Sequence, residues 1–97
     1  MTPFFFHPEA YQELIESVKY YEVQKSGLGQ RFLDTVIDAI QRIRTHPLLY
    51  HQIDNGCRQC RIPWFPYGVI YRIKDNRIEI IAVMHLHRQP GYWRGRN

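Results

Sequence analysis

The segment richest in chemically versatile side chains is His85-Leu86-His87-Arg88-Gln89-Pro90-Gly91-Tyr92-Trp93-Arg94-Gly95-Arg96. It gathers two imidazoles, three guanidiniums, one phenol and one indole within twelve residues. Each type has a use on nucleic acid. Arginine neutralises phosphate and stabilises the charge that builds in a phosphoryl transition state. Tyrosine and tryptophan offer faces for base stacking, worth about 1–3 kcal/mol per base in single-strand binders. Histidine is the usual acid or base near neutral pH. Such a set suits RNA cleavage by attack of a 2′-hydroxyl. The structural alternative is that Tyr92 and Trp93 pack the tail onto the rest of the protein, with arginines lying over them.

Two further arginines, Arg58 and Arg61, precede Pro63-Trp64-Phe65-Pro66. Three residues apart on a strand means opposite faces, so at most one of them shares a face with a given site. Arg61, next to the proline-bounded bend, is the favoured one. Cys57-Arg58-Gln59-Cys60 has C-x-x-C spacing, but a zinc site wants four ligands and there is no second cysteine pair. A redox C-x-x-C usually opens a helix; a strand instead splits the two thiols across the sheet. His7, His46 and His51 lie at helix edges or in loops without metal-ligand spacing. The residues call for no metal and no cofactor.

These groups need a scaffold, and the periodicity supplies one. Pro8 suits a first helical position, with Glu9 and Glu13 near the positive end of the helix dipole. Tyr11, Leu14, Ile15, Val18 and Tyr21 follow an amphipathic stripe. Gly27 fits the left-handed residue that ends such a helix. Phe32, Leu33, Val36, Ile37, Ile40 and Ile43 form a second stripe, which Pro47 stops. The two helices make a hairpin. Strands follow: one from about Cys57 to Ile62, one from Tyr67 to Ile73, a turn at Asp75-Asn76, and one through Ile78, Ile80, Ala82 and Met84. The residues between those four, Ile81 and Val83, are apolar too, so the last strand is expected to be covered on both faces and interior to its sheet. Phe4-Phe5-Phe6 is the first strand, with Pro3 at its end. From Gln89 on, Pro90, Gly91 and Gly95 leave a loop or a single turn. The expected fold class is α+β, in the order β-α-α-β-β-β, with a helical hairpin packed on a small, mostly antiparallel sheet.

Ninety-seven residues fit one domain, residues 1–97. Two cysteines make no disulfide framework, and no apolar run approaches the roughly 20 residues of a spanning helix. No basic residue precedes the Phe4-Phe5-Phe6 run, so no secretory signal and no membrane contact are expected, and the default compartment is the cytoplasm. The net charge of +4 is unevenly placed. Residues 1–56 hold five Lys/Arg against seven acids, net −2; residues 57–97 hold eight against two, net +6. Arg58, Arg72, Lys74, Arg94 and Arg96, with Trp93, form a candidate binding set for an anionic partner, either nucleic acid or an acidic protein.

The ordered pieces resemble the RelE/ParE superfamily of toxins from type II toxin–antitoxin systems, of the plasmid-stabilisation type. The resemblance rests on Phe6-His7-Pro8-Glu9-Ala10 with Glu13-Leu14, Tyr20-Tyr21-Glu22, Gly27-Leu28-Gly29 with Phe32-Leu33, and Ile43-Arg44-Thr45-His46-Pro47. It continues with Cys60-Arg61-Ile62, Phe65-Pro66-Tyr67, Ile70-Tyr71-Arg72, Ile80-Ile81-Ala82-Val83-Met84-His85 and Arg88-Gln89-Pro90-Gly91-Tyr92-Trp93. It implies the same fold and a cytoplasmic bacterial or archaeal toxin that inhibits growth until a small co-encoded antitoxin, acidic toward its binding segment, neutralises it. RelE-like members cut mRNA at the ribosome; ParE-like members poison DNA gyrase and are not nucleases. Carried onto this chain, a RelE-type site implies Arg61 and Arg88 on phosphate, Tyr92 as acid or base, and His85 as a second candidate. Lys74 is the only lysine after position 25, where RelE-like enzymes carry extra sheet lysines. The alternative is a non-toxic basic module of the same fold that binds nucleic acid or protein.

Overall fold

The computed structural model describes residues 1–54 and 56–96. Helix α1 spans Pro8–Gln24, with Pro8 in the first turn. The His7 side chain caps it by accepting a hydrogen bond from the Glu9 N–H through Nδ1 at 3.1 Å. The chain leaves α1 at Lys25 and turns through Gly27, whose φ of 89° favours glycine. Gly27 immediately precedes helix α2, Leu28–Thr45, rather than closing α1 directly. The Glu22 carboxylate accepts from the N–H groups of Gly27 (2.9 Å) and Gly29 (3.0 Å), so a side chain of α1 caps the start of α2.

A five-stranded sheet lies against this hairpin. Its strands are β1 Phe4–Phe6, β2 His51–Asp54, β3 Cys57–Arg61, β4 Tyr67–Lys74 and β5 Arg77–His85. Their spatial order is β1-β5-β4-β3-β2. β1 runs parallel to β5 and the other pairs are antiparallel. The expected mostly antiparallel sheet under a helical hairpin is present, with β5 interior. Strand β2 is the element that periodicity missed. His-Gln-Ile-Asp is four residues long, lies on the sheet edge and exposes His51 and Gln52, so it has no alternation to read. His51 therefore sits in a strand rather than a loop.

The turn between β4 and β5 is as expected: Asp75 and Asn76 both take positive φ, 54° and 60°. The faces of β5 are not. Ile70 pairs with Ala82 and Tyr71 with Ile80, which leaves Ile81 as a bulge. The extra residue inverts the alternation. Ile78, Ile80 and Val83 join the core under the helices with Phe32, Val36, Ile40 and Ile43. Ile81, Ala82 and Met84 turn to the opposite face and pack with Cys57, Ile70 and Trp93. Ile80 and Ala82 thus lie on opposite faces, although their spacing alone places them together. The sheet has two covered faces: the hairpin on one, the carboxyl-terminal segment on the other.

Candidate functional site

After β5 the chain folds back over the sheet face that the helices leave open. The Leu86 N–H donates to the Pro66 carbonyl at 2.7 Å, anchoring the exit. Successive turns close with Tyr92 N–H to Gln89 O, Arg94 N–H to Gly91 O and Arg96 N–H to Trp93 O. Gly91 and Gly95 supply the positive φ these turns need. Trp93 is only 4% exposed and rests on Cys57, Ile70, Ile81, Ala82 and Met84. Its indole is a core element while the tail is docked, with no face open to a base.

One carboxylate organises the tail. Glu13, on α1, accepts from Arg96 through both oxygens (3.0 and 2.9 Å), from the Tyr92 hydroxyl (2.7 Å) and from Arg88 (3.4 Å). It also accepts from the backbone N–H of Val83 at 3.0 Å, while Arg96 donates to the Ile81 carbonyl at 2.9 Å. The sheet explains this arrangement. β1 ends at Phe6, opposite Ile80, so no strand lies beside the next stretch of β5. Glu13 and Arg96 satisfy that open edge with side chains, where an orphaned backbone group would be costly. Arg96 is 9% and Glu13 12% exposed at the side chain, so the pair is largely out of water. Burial alone would lower the Arg96 pKa, but the bond and charge of Glu13 outweigh it and the net shift is upward. Burial, then the Glu13 bond and charge, push the Tyr92 phenol far above its ordinary value. The Arg88 guanidinium lies 3.7 Å from the centre of the Tyr92 ring and that of Arg96 5.1 Å.

The sequence-predicted site residues separate into distinct places. His85 and Arg88 line a cleft with Glu13, Ser17, Tyr20 and Tyr67. His85 Nδ1 accepts from the His87 N–H at 3.1 Å, and its ring sits 5.1 Å from that of Tyr67. Tyr92 joins this group through Glu13, its hydroxyl already committed. Arg61 stands elsewhere. It lines a cleft of about 230 Å³ with Gln59 and Arg94 over Ile53, Met84 and Trp93. Arg94 pairs with Asp54. Arg72 pairs with the buried Glu79 at 2.7 Å on the same face. Lys74 is exposed at the β4–β5 hairpin. Arg58 points to the other face, as its spacing from Arg61 requires, and donates to the Tyr50 carbonyl at 2.8 Å. The catalytic set is therefore split: His85 and Arg88 line one cleft, Tyr92 is tied to its Glu13, and Arg61 lines another.

Cys57 and Cys60 lie in the two different cores, one on each side of the sheet. Burial raises both thiol pKa values. No His/Cys/Asp/Glu group among the described residues is arranged to hold a metal. Residue typing missed Glu13, because it lies 70 to 83 positions from its partners. The one sequence signal was the opposite sign of the two halves, which the Glu13 and Asp54 pairs with tail arginines join.

The sequence matches the family described as the ParE toxin of the type II toxin-antitoxin system, parDE, over residues 4–90. No curated protein matches the chain. A solved structure, described as the chromosomal ParDE TA system from P. aeruginosa, superimposes with a TM-score of 0.66 at 16% identity. The alignment covers 89% of this chain and 97% of that one, a likeness of fold.

Proposed function

The chain belongs to the ParE toxin family of type II toxin–antitoxin systems, and from that premise we propose that it is the toxin of a co-encoded pair, acting in the cytoplasm. Its target in this reading is DNA gyrase, and the adjacent gene encodes the antitoxin that restrains it. The observation that carries the choice of target is the commitment of Tyr92. Its hydroxyl donates to Glu13 and its pKa is raised, so it is a poor base at neutral pH. Arg61, on the sheet face that the tail covers, lines a different cleft from His85 and Arg88. General acid–base cleavage needs these groups within hydrogen-bond reach of one phosphate. A protein target needs only a positioned surface. In this reading Arg61, Arg88, Arg94 and Lys74 make the charged contacts, while Tyr92, Trp93 and Arg96 hold the tail that presents them.

The test is direct. Purified protein added to gyrase and relaxed plasmid should stop supercoiling, and added to translating ribosomes should leave mRNA intact. mRNA cleavage with supercoiling unaffected refutes the choice of target. Induced expression without growth arrest, whether or not the adjacent gene is present, refutes the toxin reading and favours a binding module of the same fold.

A further inference from the structure

A second exposed feature lies away from the tail, where β3 passes into β4. The corner Pro63-Trp64-Phe65-Pro66 is closed by hydrogen bonds from Ile62 N–H to Tyr67 O and from Tyr67 N–H to Phe65 O. Phe65 turns into the core, while Trp64 turns outward and is 77% exposed. Trp64 holds φ at +67°, a left-handed conformation that costs a bulky residue energy and that glycine adopts freely. Strain of this kind, spent on exposing an indole, marks a candidate functional position. Beside it is a cleft of about 380 Å³ lined by Tyr21, Leu28, Arg31, Trp64, Phe65 and Pro66. Five of the six are apolar or aromatic. Arg31 is the single charge, its guanidinium 5.4 Å from the indole centre, and among the described residues it forms no ion pair.

We propose that this corner is an anchor site for the antitoxin: an apolar side chain of the antitoxin fills the cleft against Trp64, and a neighbouring carboxylate pairs with Arg31. The proposal rests on the toxin reading above and adds the surface and the chemistry of its partner. An exposed tryptophan beside an arginine, over an apolar floor, is the composition of an interface hot spot. The charge argues for an acidic segment, since the one charge lining the cleft is a cation with no ion pair among the described residues. A nucleic-acid strand would need a row of cations along its backbone, and the lining offers one.

The experiment uses the full chain and the purified product of the adjacent gene. Trp93 is buried, so tryptophan fluorescence open to acrylamide quenching reports Trp64. Complex formation should abolish that quenching. Trp64→Gly removes the indole and relieves the backbone strain, so its melting temperature should hold or rise while antitoxin affinity falls at least tenfold. Arg31→Glu should weaken binding to a similar extent. Binding that is as tight in both variants as in the unaltered protein, with Trp64 still quenchable in the complex, overturns this site and leaves the toxin reading standing. Failure of the unaltered protein to bind the product overturns both. Concentration-dependent protection of Trp64 in the protein alone identifies self-association and overturns the antitoxin assignment.

Discussion

Replacing Glu13 with alanine should be the most damaging single change at the tail. The substitution leaves the Arg96 guanidinium buried without its bidentate partner, the Val83 N–H without an acceptor and the Tyr92 hydroxyl without its bond. Removing one partner of a buried ion pair costs about 3–5 kcal/mol, and an orphaned buried N–H about 1–3. The losses share one site and do not add, so about 3–5 kcal/mol is the expected total. A domain of this size has only about 5–15 kcal/mol to lose. At roughly 4–8 °C per kcal/mol, the melting temperature should fall by at least ~12 °C. The exposed Arg88, which shares the same carboxylate at 3.4 Å, adds little, because a solvated ion pair contributes about 0–1 kcal/mol. Urea unfolding followed by circular dichroism measures the loss, and Trp93 fluorescence in a Trp64→Phe background reports whether the tail has undocked. Glu13→Leu combined with Arg96→Met removes both charges, and should recover part of what Glu13→Ala loses. A Glu13→Ala loss below about 1 kcal/mol, with Trp93 still protected, would refute the view that this carboxylate holds the tail and closes the sheet edge.

Two further outcomes follow from packing and charge. Burial pushes the Tyr71 phenol to about 12, from 10.0, while its hydroxyl donates to the Pro47 carbonyl at 2.6 Å. A raised folded pKa means the folded state holds its proton longer, so this stabilisation is complete below pH 10 and is lost as pH rises toward 12. The loss is worth roughly 2–3 kcal/mol, and Tyr71→Phe should flatten it in denaturant titrations across that window, at a cost near neutral pH of about 1 kcal/mol. Gly29→Ala tests the helix crossing: a Cβ there would stand 2.5 Å from the Val18 carbonyl oxygen and 2.9 Å from Glu22 Cβ. Helix propensity favours alanine by about 1 kcal/mol; the clash should reverse the sign, and a raised melting temperature would show that the hairpin yields there.

Local residue choice settled much of this fold before any tertiary contact. Pro8 and the Leu14, Val18, Tyr21 stripe mark α1, the Phe32, Val36, Ile40, Ile43 stripe marks α2, and Asp75-Asn76 marks the tight hairpin, because helix periodicity and positive-φ turns act over a few residues. The opposed faces of Arg58 and Arg61, and of Cys57 and Cys60, also follow from strand geometry alone. What sequence could not supply depends on distance along the chain. Strand β2 exists because β3 has an edge to pair with, since its own four residues carry no periodic signal. The bulge at Ile81 arises from how β4 and β5 are matched, and it decides which side of the sheet each later residue faces. The tail's side chains divide by the same tertiary logic. Trp93 is buried because the far sheet face would otherwise be bare. Arg96 and Tyr92 turn inward because a carboxylate more than 75 residues away completes an edge that β1 is too short to cover. Arg61 lies outside these contacts. Composition thus established an arginine-rich half, and only the folded chain determined which arginines are internal ties and which stay exposed.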